Sequence, residues 1–508
     1  MNRKLRYLMV VFILALLVVI PKTGLSEEKD DDGFMSWLST WNPIKDHFSR
    51  PLMENIPNFE VRGFIQNMTS MSIYKNVNAE RNLPRTDTAF QRIEWLFQLE
   101  PRYRPTPNLQ FLAKVDWLYN TAYDWDKGFA DSYATSERRL NKYRRAIEFL
   151  REWYVDYING PVQARIGRQQ VVWGRVDGRQ ILDFIHGVDF TRWPGGISTN
   201  PFVPVEQVRI PKFMTNIQYF PGDFQFQFLW IPDFEPSWGP GFLNRFPYEF
   251  NPAPPTTGVT TITVKAPDPP ARNLENSELG FMAKVIKEGW DISVHYFWGF
   301  NNLPTVFVDT VVTGPPPIPP TVDVTIDPLY KRVHRFGLGA DKTWSMLGRQ
   351  WAVKFEGRYA RNLFFATVDT NPKLRGQKKA DSLLTGLQFD TYILTNMGLV
   401  LRWDHEQIFK FSDDLRTLSV KRPLARHEDT ITFVIRKPIR ATYDRLVPMS
   451  VLIYVDGGHW RWEPNVTYEL TEDFTLMLGG HFYWGQPDQL WGQFARHDGI
   501  DFGVKWNF

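Results

Sequence analysis

The chain has 508 residues, 43% apolar and 15% aromatic, with 20 Trp, 39 Phe and no Cys. That aromatic load excludes disorder. The missing cysteine excludes disulfides, thiolate zinc sites, covalently attached haem, iron–sulfur clusters and a lipidated Cys. The formal charge of +3 belongs to the precursor, because residues 1–26 hold four basic side chains (Arg3, Lys4, Arg6, Lys22) and no acidic one. Without them 55 Lys and Arg face 56 Asp and Glu. No positive field remains for nucleic acid, which is not an expected partner.

Taken in order, the chain opens on Arg3, Lys4 and Arg6, runs apolar from Leu8 to Ile20, and reaches small residues at Gly24 and Ser26. Residues 1–26 are expected to be a signal peptide cleaved after Ser26, because the apolar run is short for a membrane span. Residues 27–58 form a periplasmic segment in this reading. Its acidic start, Glu27 to Asp32, is a solvated tail rather than a metal site. Phe34, Trp37, Leu38, Trp41, Ile44 and Phe48 then recur at three- and four-residue steps, predicting a short amphipathic helix interrupted at Pro43. Such a helix can lie on the periplasmic leaflet, plug a lumen or dock a periplasmic partner.

From residue 59 to 508 the pattern changes to period two. Phe224-Gln225-Phe226-Gln227-Phe228 is one instance, and Val353-Lys354-Phe355-Glu356-Gly357-Arg358-Tyr359 puts full charges on the second face. No second apolar run of 18 residues follows the first. The connections alternate between tight (near 105–107, 158–160, 221–223, 287–289, 345–348, 395–398 and 471–473) and long, as a transmembrane barrel requires. The expected fold is therefore all-β: a transmembrane antiparallel up-and-down β-barrel of about 18 strands, with 16 from an alternative parse of 427–470. Charge facing lipid costs ~2–4 kcal/mol near the midplane, so Lys354, Glu356, Arg358, Arg402 and Asp404 are expected to line the lumen.

One segment stands out: Arg165-Ile166-Gly167-Arg168-Gln169-Gln170-Val171-Val172-Trp173-Gly174-Arg175-Val176-Asp177-Gly178, continuing through Asp183 to Asp189. A strand to about Trp173 meets two glycines and then a stretch too mixed in polarity for a free loop. Residues 174–211 are expected to fold inward. Arg165, Arg168, Gln169, Trp173, Arg175, Asp177, Arg179, Asp183 and Asp189 would then form a pore constriction, where mixed charge sorts permeants by size and dipole. A structural ion-pair network holding a long loop is the alternative account of the same residues. The pattern R-x-G-x-Q-x-x-x-W-G-x-x-D-G, followed by D and V-D, resembles the domain-of-unknown-function 1302 family of Gram-negative outer-membrane proteins. The family commonly has Asn-Pro where this chain has His186-Gly187. The resemblance implies a barrel that moves or admits poorly soluble compounds. It supplies no substrate and no catalytic residue.

The chain ends on Phe502-Gly503-Val504-Lys505-Trp506-Asn507-Phe508. Alternation to a terminal aromatic resembles the signature by which Gram-negative assembly machinery recognises barrels, with Trp506 and Phe508 as the assembly signal. Outer-membrane lipid and lipopolysaccharide would surround the product. No H-E-x-x-H, phosphate loop or G-x-S-x-G is present, so neither catalytic residues nor cofactors nor metals are assigned. The leading expectation is an outer-membrane porin-like channel for small, amphipathic or aromatic molecules. A conduit or scaffold docking periplasmic proteins is the second reading, and a loop-borne lipid or ester hydrolase the third.

Overall fold

The computed structural model describes residues 42, 44–73, 90–121, 149–176, 178–189, 202–237, 261–265, 269–313, 321–369, 371–416, 423–486, 489–494 and 498–508. The expected signal peptide, the acidic tail and Phe34, Trp37, Leu38, Trp41 and Asp177 lie outside them.

Alternating residues produce long strands because successive side chains point to opposite faces. The first six are β1 (Phe59–Ser72), β2 (Phe90–Thr106), β3 (Leu109–Asn120), β4 (Leu150–Asn159), β5 (Val162–Gln169) and β6 (Lys212–Tyr219). Then come β7 (Phe224–Ile231), β8 (Glu278–Lys287), β9 (Trp290–Phe300), β10 (Arg332–Met346), β11 (Arg349–Thr367) and β12 (Gln377–Ile393). The last six are β13 (Met397–Ile408), β14 (His427–Arg436), β15 (Leu446–Val455), β16 (His459–Glu469), β17 (Phe474–Trp484) and β18 (Gly499–Asn507). Each pairs antiparallel with its sequence neighbours, and β1 pairs with β18 in the register Phe64↔Asn507 and Met68↔Gly503. The result is a closed barrel of 18 strands, the larger of the two expected counts. Closure removes every free edge.

Strict alternation of short and long connections fails on both sides of β15: nine residues, 437–445, join it to β14 at the turn end. Strands β15 and β16, at the loop end of the barrel, are joined only by residues 456–458, where Gly457 and Gly458 take φ of 91° and 84°. Two adjacent glycines permit that tight turn. Elsewhere the loop end carries its own structure: a hairpin of Thr305–Thr313 and Thr321–Leu329, with Thr261–Val264 parallel to its second strand.

The outward face is apolar and aromatic: Trp95, Phe111, Trp117, Trp153, Phe226, Phe281, Phe336, Trp403 and Trp462 are all exposed. That many exposed rings on one continuous face suit hydrocarbon rather than water. Phe508 closes the seam. Its backbone exchanges hydrogen bonds with Gly63, and its ring stacks on Phe97 of β2 with centroids 6.0 Å apart. A Cβ at Gly63 would come within 2.5 Å of that ring, so β1 keeps glycine there.

At the turn end, the described part of the N-terminal segment is helical over 45–55. The expected interruption at Pro43 lies outside the described residues. Pro51 sits at the start of the α-helical part, where its missing N–H costs little. Asn42 fastens this segment to the barrel by donating to Asp473 and to the Asn507 carbonyl, both at 2.9 Å.

Candidate functional site

Strand β5 ends at Gln169, four residues earlier than the alternation suggests. Gly167, at φ 138°, lets the backbone pass so close to β4 that an added Cβ would lie 2.3 Å from the Trp153 carbonyl oxygen. The chain then turns into the barrel. Val171, Trp173, Ile181, Leu182, Phe184 and Ile185 pack with inward residues of the wall, among them Met214, Leu229, Met282, Phe297 and Leu384. Each such burial is worth ~1.5–3 kcal/mol, so an apolar core inside the bore holds the segment. The interior is thus not wet throughout. A second apolar patch joins Trp491 and Phe494, from the connection after β17, to Val451, Ile453, Val455 and Tyr483.

Glycines on the inward face make the bay that receives the segment. A Cβ at Gly337 would lie 2.6 Å from Leu182 Cδ2, and one at Gly386 would lie 2.5 Å from Ile181 Cδ1. Gly339 faces Leu182 and Gly280 faces Trp173 in the same way.

Polar anchors fix the register. Glu356 on β11 accepts from the backbone N–H groups of Arg175 (2.5 Å) and Val176 (3.1 Å) through one oxygen, and from Leu182 (3.3 Å) through the other. Asp183 accepts from the N–H of Trp173 at 3.1 Å and pairs with Arg209 at 2.5 Å. Arg175 bridges Asp291 of β9 (2.5 Å) and Asp341 of β10 (2.7 Å). Arg179 pairs with Glu406 of β13. His186 ties the base together: its Nε2 accepts from the Val171 N–H at 2.8 Å while its Nδ1 lies 2.9 Å from the Ile210 carbonyl. That pair of bonds requires a neutral ring. Burial, reinforced by the charges of Arg209 and Lys212, pushes its pKa well below the ordinary histidine range.

From Trp173 against Gln227 on β7 to Arg179 against Glu406 on β13, the segment follows the wall across seven strands. Its far end reaches the opposite side. Phe202 packs with Met68 of β1 and Met477 of β17, and Gln66 donates to the Phe202 carbonyl. In a ring of eighteen strands, β1 and β10 stand opposite each other, so the described residues between 171 and 208 touch both sides of the bore.

The expected constriction residues that are described do not gather at one point, although the Trp173 N–H donates to Asp183 and Gln169 donates to the Arg165 carbonyl. Arg168 pairs in register with Trp153 and Phe213, on the outward face, and binds Glu235 at 3.2 Å. Gln169 is fully buried and donates to the Met214 carbonyl at 3.1 Å. Trp173 is buried in the apolar core. Asp183 is partly buried and Asp189 buried at the base of the segment, where the Asp189 N–H donates to the Val208 carbonyl. Arg165 pairs with Asp156 at 2.7 Å on the wall. Arg175 and Arg179 keep side-chain exposures of 30% and 27%, and among the described arginines of the segment these two are the ones that stay partly exposed.

Of the expected lumen-lining residues, Lys354 pairs with Asp390 at 2.7 Å. Glu356 is instead a tether. Arg402 and Asp404 are each 1% exposed, bonded to each other at 2.7 Å and covered by the segment through the Arg179 carbonyl. Arg358 faces the same region with its Nε unbonded. What sequence reading missed is the tethering role of Glu356 and the glycine bay. The visible signal was Gly337-Leu338-Gly339, glycine repeated at period two inside a strand.

Between the segment and strands β5 to β9 lies a cleft of 360 Å³, lined by Arg165, Asn216, Gln218, Gln225, Gln227, Met282, Lys284 and His295 with residues 170–173 and Arg175. Among the described residues no group of three His, Cys, Asp or Glu side chains is placed to hold a metal.

No curated protein matches the sequence. Among solved structures, the chain is similar to a BenF-like porin from Pseudomonas fluorescens Pf-5 at 8% identity, covering 89% of this chain and 98% of that one, with a TM-score of 0.49. It is similar at 9% identity, with the same coverages and a TM-score of 0.48, to Pseudomonas aeruginosa OccK2 (OpdF), solved in complex with glucuronate. The family model described as "Protein of unknown function (DUF1302)" matches residues 66–434, and the chain belongs to that family.

Proposed function

We propose that this protein is an outer-membrane channel through which small solutes diffuse, with the inward segment 171–208 setting the passage. One observation carries the reading: inside a closed barrel with an apolar exterior, a single connection is tethered to both sides of the bore by buried carboxylates, glycines and an apolar core. Such a tether has no purpose in a barrel that serves only as an outer shell, whereas a narrowed pore depends on it. The expected permeants are small molecules with an apolar face as well as polar groups, since the segment presents the exposed Val172 and the partly exposed Arg175 and Arg179.

The aromatic exterior and the seam-closing Phe508 support an outer-membrane setting, with lipid and lipopolysaccharide around the wall and the barrel assembly machinery reading Trp506 and Phe508. The helical segment over 45–55 lies at the turn end, where a periplasmic partner would meet it. No catalytic role is assigned. Purified protein in planar bilayers is expected to give stepwise conductance; a correctly folded barrel that inserts and stays silent contradicts the proposal.

A further inference from the structure

We infer that the 360 Å³ cleft under the inward segment is a binding subsite for a neutral, polyhydroxylated solute of sugar size. This deepens the channel reading, on which it rests for access to the lumen. The volume falls near the lower end of the ~300–1,000 Å³ usual for small-molecule sites.

Charge comes first. The three cations around the cleft are already neutralised from the wall: Arg165 by Asp156 at 2.7 Å, Lys284 by Asp291 at 2.9 Å, and Arg175 by Asp291 and Asp341. An anion entering here meets no unclaimed positive charge. Hydrogen bonding comes second. A chain of amides runs from Trp173 Nε1 to Gln227 Oε1 (2.7 Å), from Gln227 Nε2 to Asn216 Oδ1 (2.9 Å), and from Asn216 Nδ2 to Gln169 Oε1 (3.3 Å). These bonds hold the amides rigid. Beside them Gln225 donates to Gln218 at 2.9 Å, which leaves one amide oxygen and one amide nitrogen of that pair without a protein partner, whichever way the amides are turned.

His295 lines the cleft as well. It is 94% buried, its Nε2 lies 2.9 Å from Ser293 Oγ, and its Nδ1 has no partner. Arg165 Nε is likewise unbonded. The Gln218–Gln225 pair therefore presents an unclaimed donor and an unclaimed acceptor side by side, with the lining cations paired, while His295 Nδ1 and Arg165 Nε stay enclosed behind the cleft surface. Hydroxyl groups both donate and accept, so a polyol satisfies this mixture. An apolar solute would strand these atoms, and a carboxylate offers only acceptors. Val171, Val172 and Met282 add only a small apolar share to a lining that is mainly polar.

The test is saturation-transfer NMR on the purified full-length protein, with glucose and glucuronate as probes of one ring and two charges. Glucose is expected to give saturation transfer, glucuronate less. The double variant Gln218→Leu/Gln225→Leu should weaken glucose binding about tenfold, a change of ~1.4 kcal/mol. His295→Phe is the second variant, should the first not fold, with folding read from the heat-dependent shift in gel migration. Absence of glucose transfer, a preference for glucuronate, or glucose binding unchanged in the folded variants overturns the inference. Conductance measured on the same preparation tests the channel reading separately: a conducting protein that ignores glucose loses the subsite and keeps the channel.

Discussion

Two stretches of the inner wall share one sequence pattern and have opposite fates. On β1 to β3 the inward charges form an open ladder: Arg102 meets Glu100 at 3.0 Å and Glu60 at 3.8 Å, and Lys114 reaches Glu100 at 3.8 Å, all with side chains about a quarter to a third exposed. On β11 to β13 the equivalent positions hold Glu356, Arg402 and Asp404, each 1% exposed under the inward segment. The alternation that points a charge inward does not determine whether water reaches it. A segment from β5 decides that, and it settles where Gly337, Gly339 and Gly386 leave space. Ladder charges tune the field along the bore, whereas covered charges fix its shape.

Breaking the covered side should give the largest effect. Replacing Glu356 with Ala leaves three backbone N–H groups without their acceptor. At ~1–3 kcal/mol for each unsatisfied group, the segment should leave its docked position, and single-channel recordings should show larger, noisier openings. Gly386→Leu attacks the same docking by overpacking, at ~1–3 kcal/mol. Combined with Glu356→Ala it should add little, because both release one element; additive effects on conductance would separate the bay from the tether.

Acidification sharpens the comparison from a third direction. The His186 pKa is held well below its unfolded value, so the native segment disfavours the proton that the unfolded chain accepts. The stabilisation of the neutral ring is fully present above the unfolded value of about 6.5. It is lost as pH falls from there toward the depressed native value. Channel noise should therefore rise between pH 7 and 5, and the rise should shrink in His186→Gln. A smaller effect is expected from Arg179→Ala, because that pair is partly exposed and worth ~1 kcal/mol or less.

The open ladder should respond least in stability and differently in kind. Arg102→Gln should change the melting temperature negligibly, in line with ~0–1 kcal/mol for exposed pairs, yet shift the ratio of cation to anion permeability. A large loss of stability there would mean that the ladder, too, is covered.

Much of this architecture was legible from period two alone. Phe226 and Phe228 facing out with Gln227 facing in, and the tight turns at 288–289 and 347–348, follow from local chemistry that each strand carries by itself. The turn at Gly457 and Gly458 falls inside 427–470, the stretch open to another parse, and its place at the loop end was not legible, since position around the ring depends on counting every strand. An inward course was expected for residues 174–211 from their mixed polarity, and the described residues among them do pack inside the barrel. Their partners were not legible, because Glu356, Glu406 and Arg209 lie up to 227 residues from the groups they hold. Arg168 shows the limit most clearly. It sits one residue before β5 ends at Gln169, and a rim position paired with Trp153 and Phe213 reads in sequence like any other charge.

The account stands on the claim that the inward segment narrows an otherwise open barrel. The measurement that tests it most directly compares single-channel conductance of the intact protein with that of a variant lacking residues 176–200. Larger conductance steps in the shortened protein, with the barrel still closed, are the predicted result. Equal steps in the two, or silence in both, would contradict it.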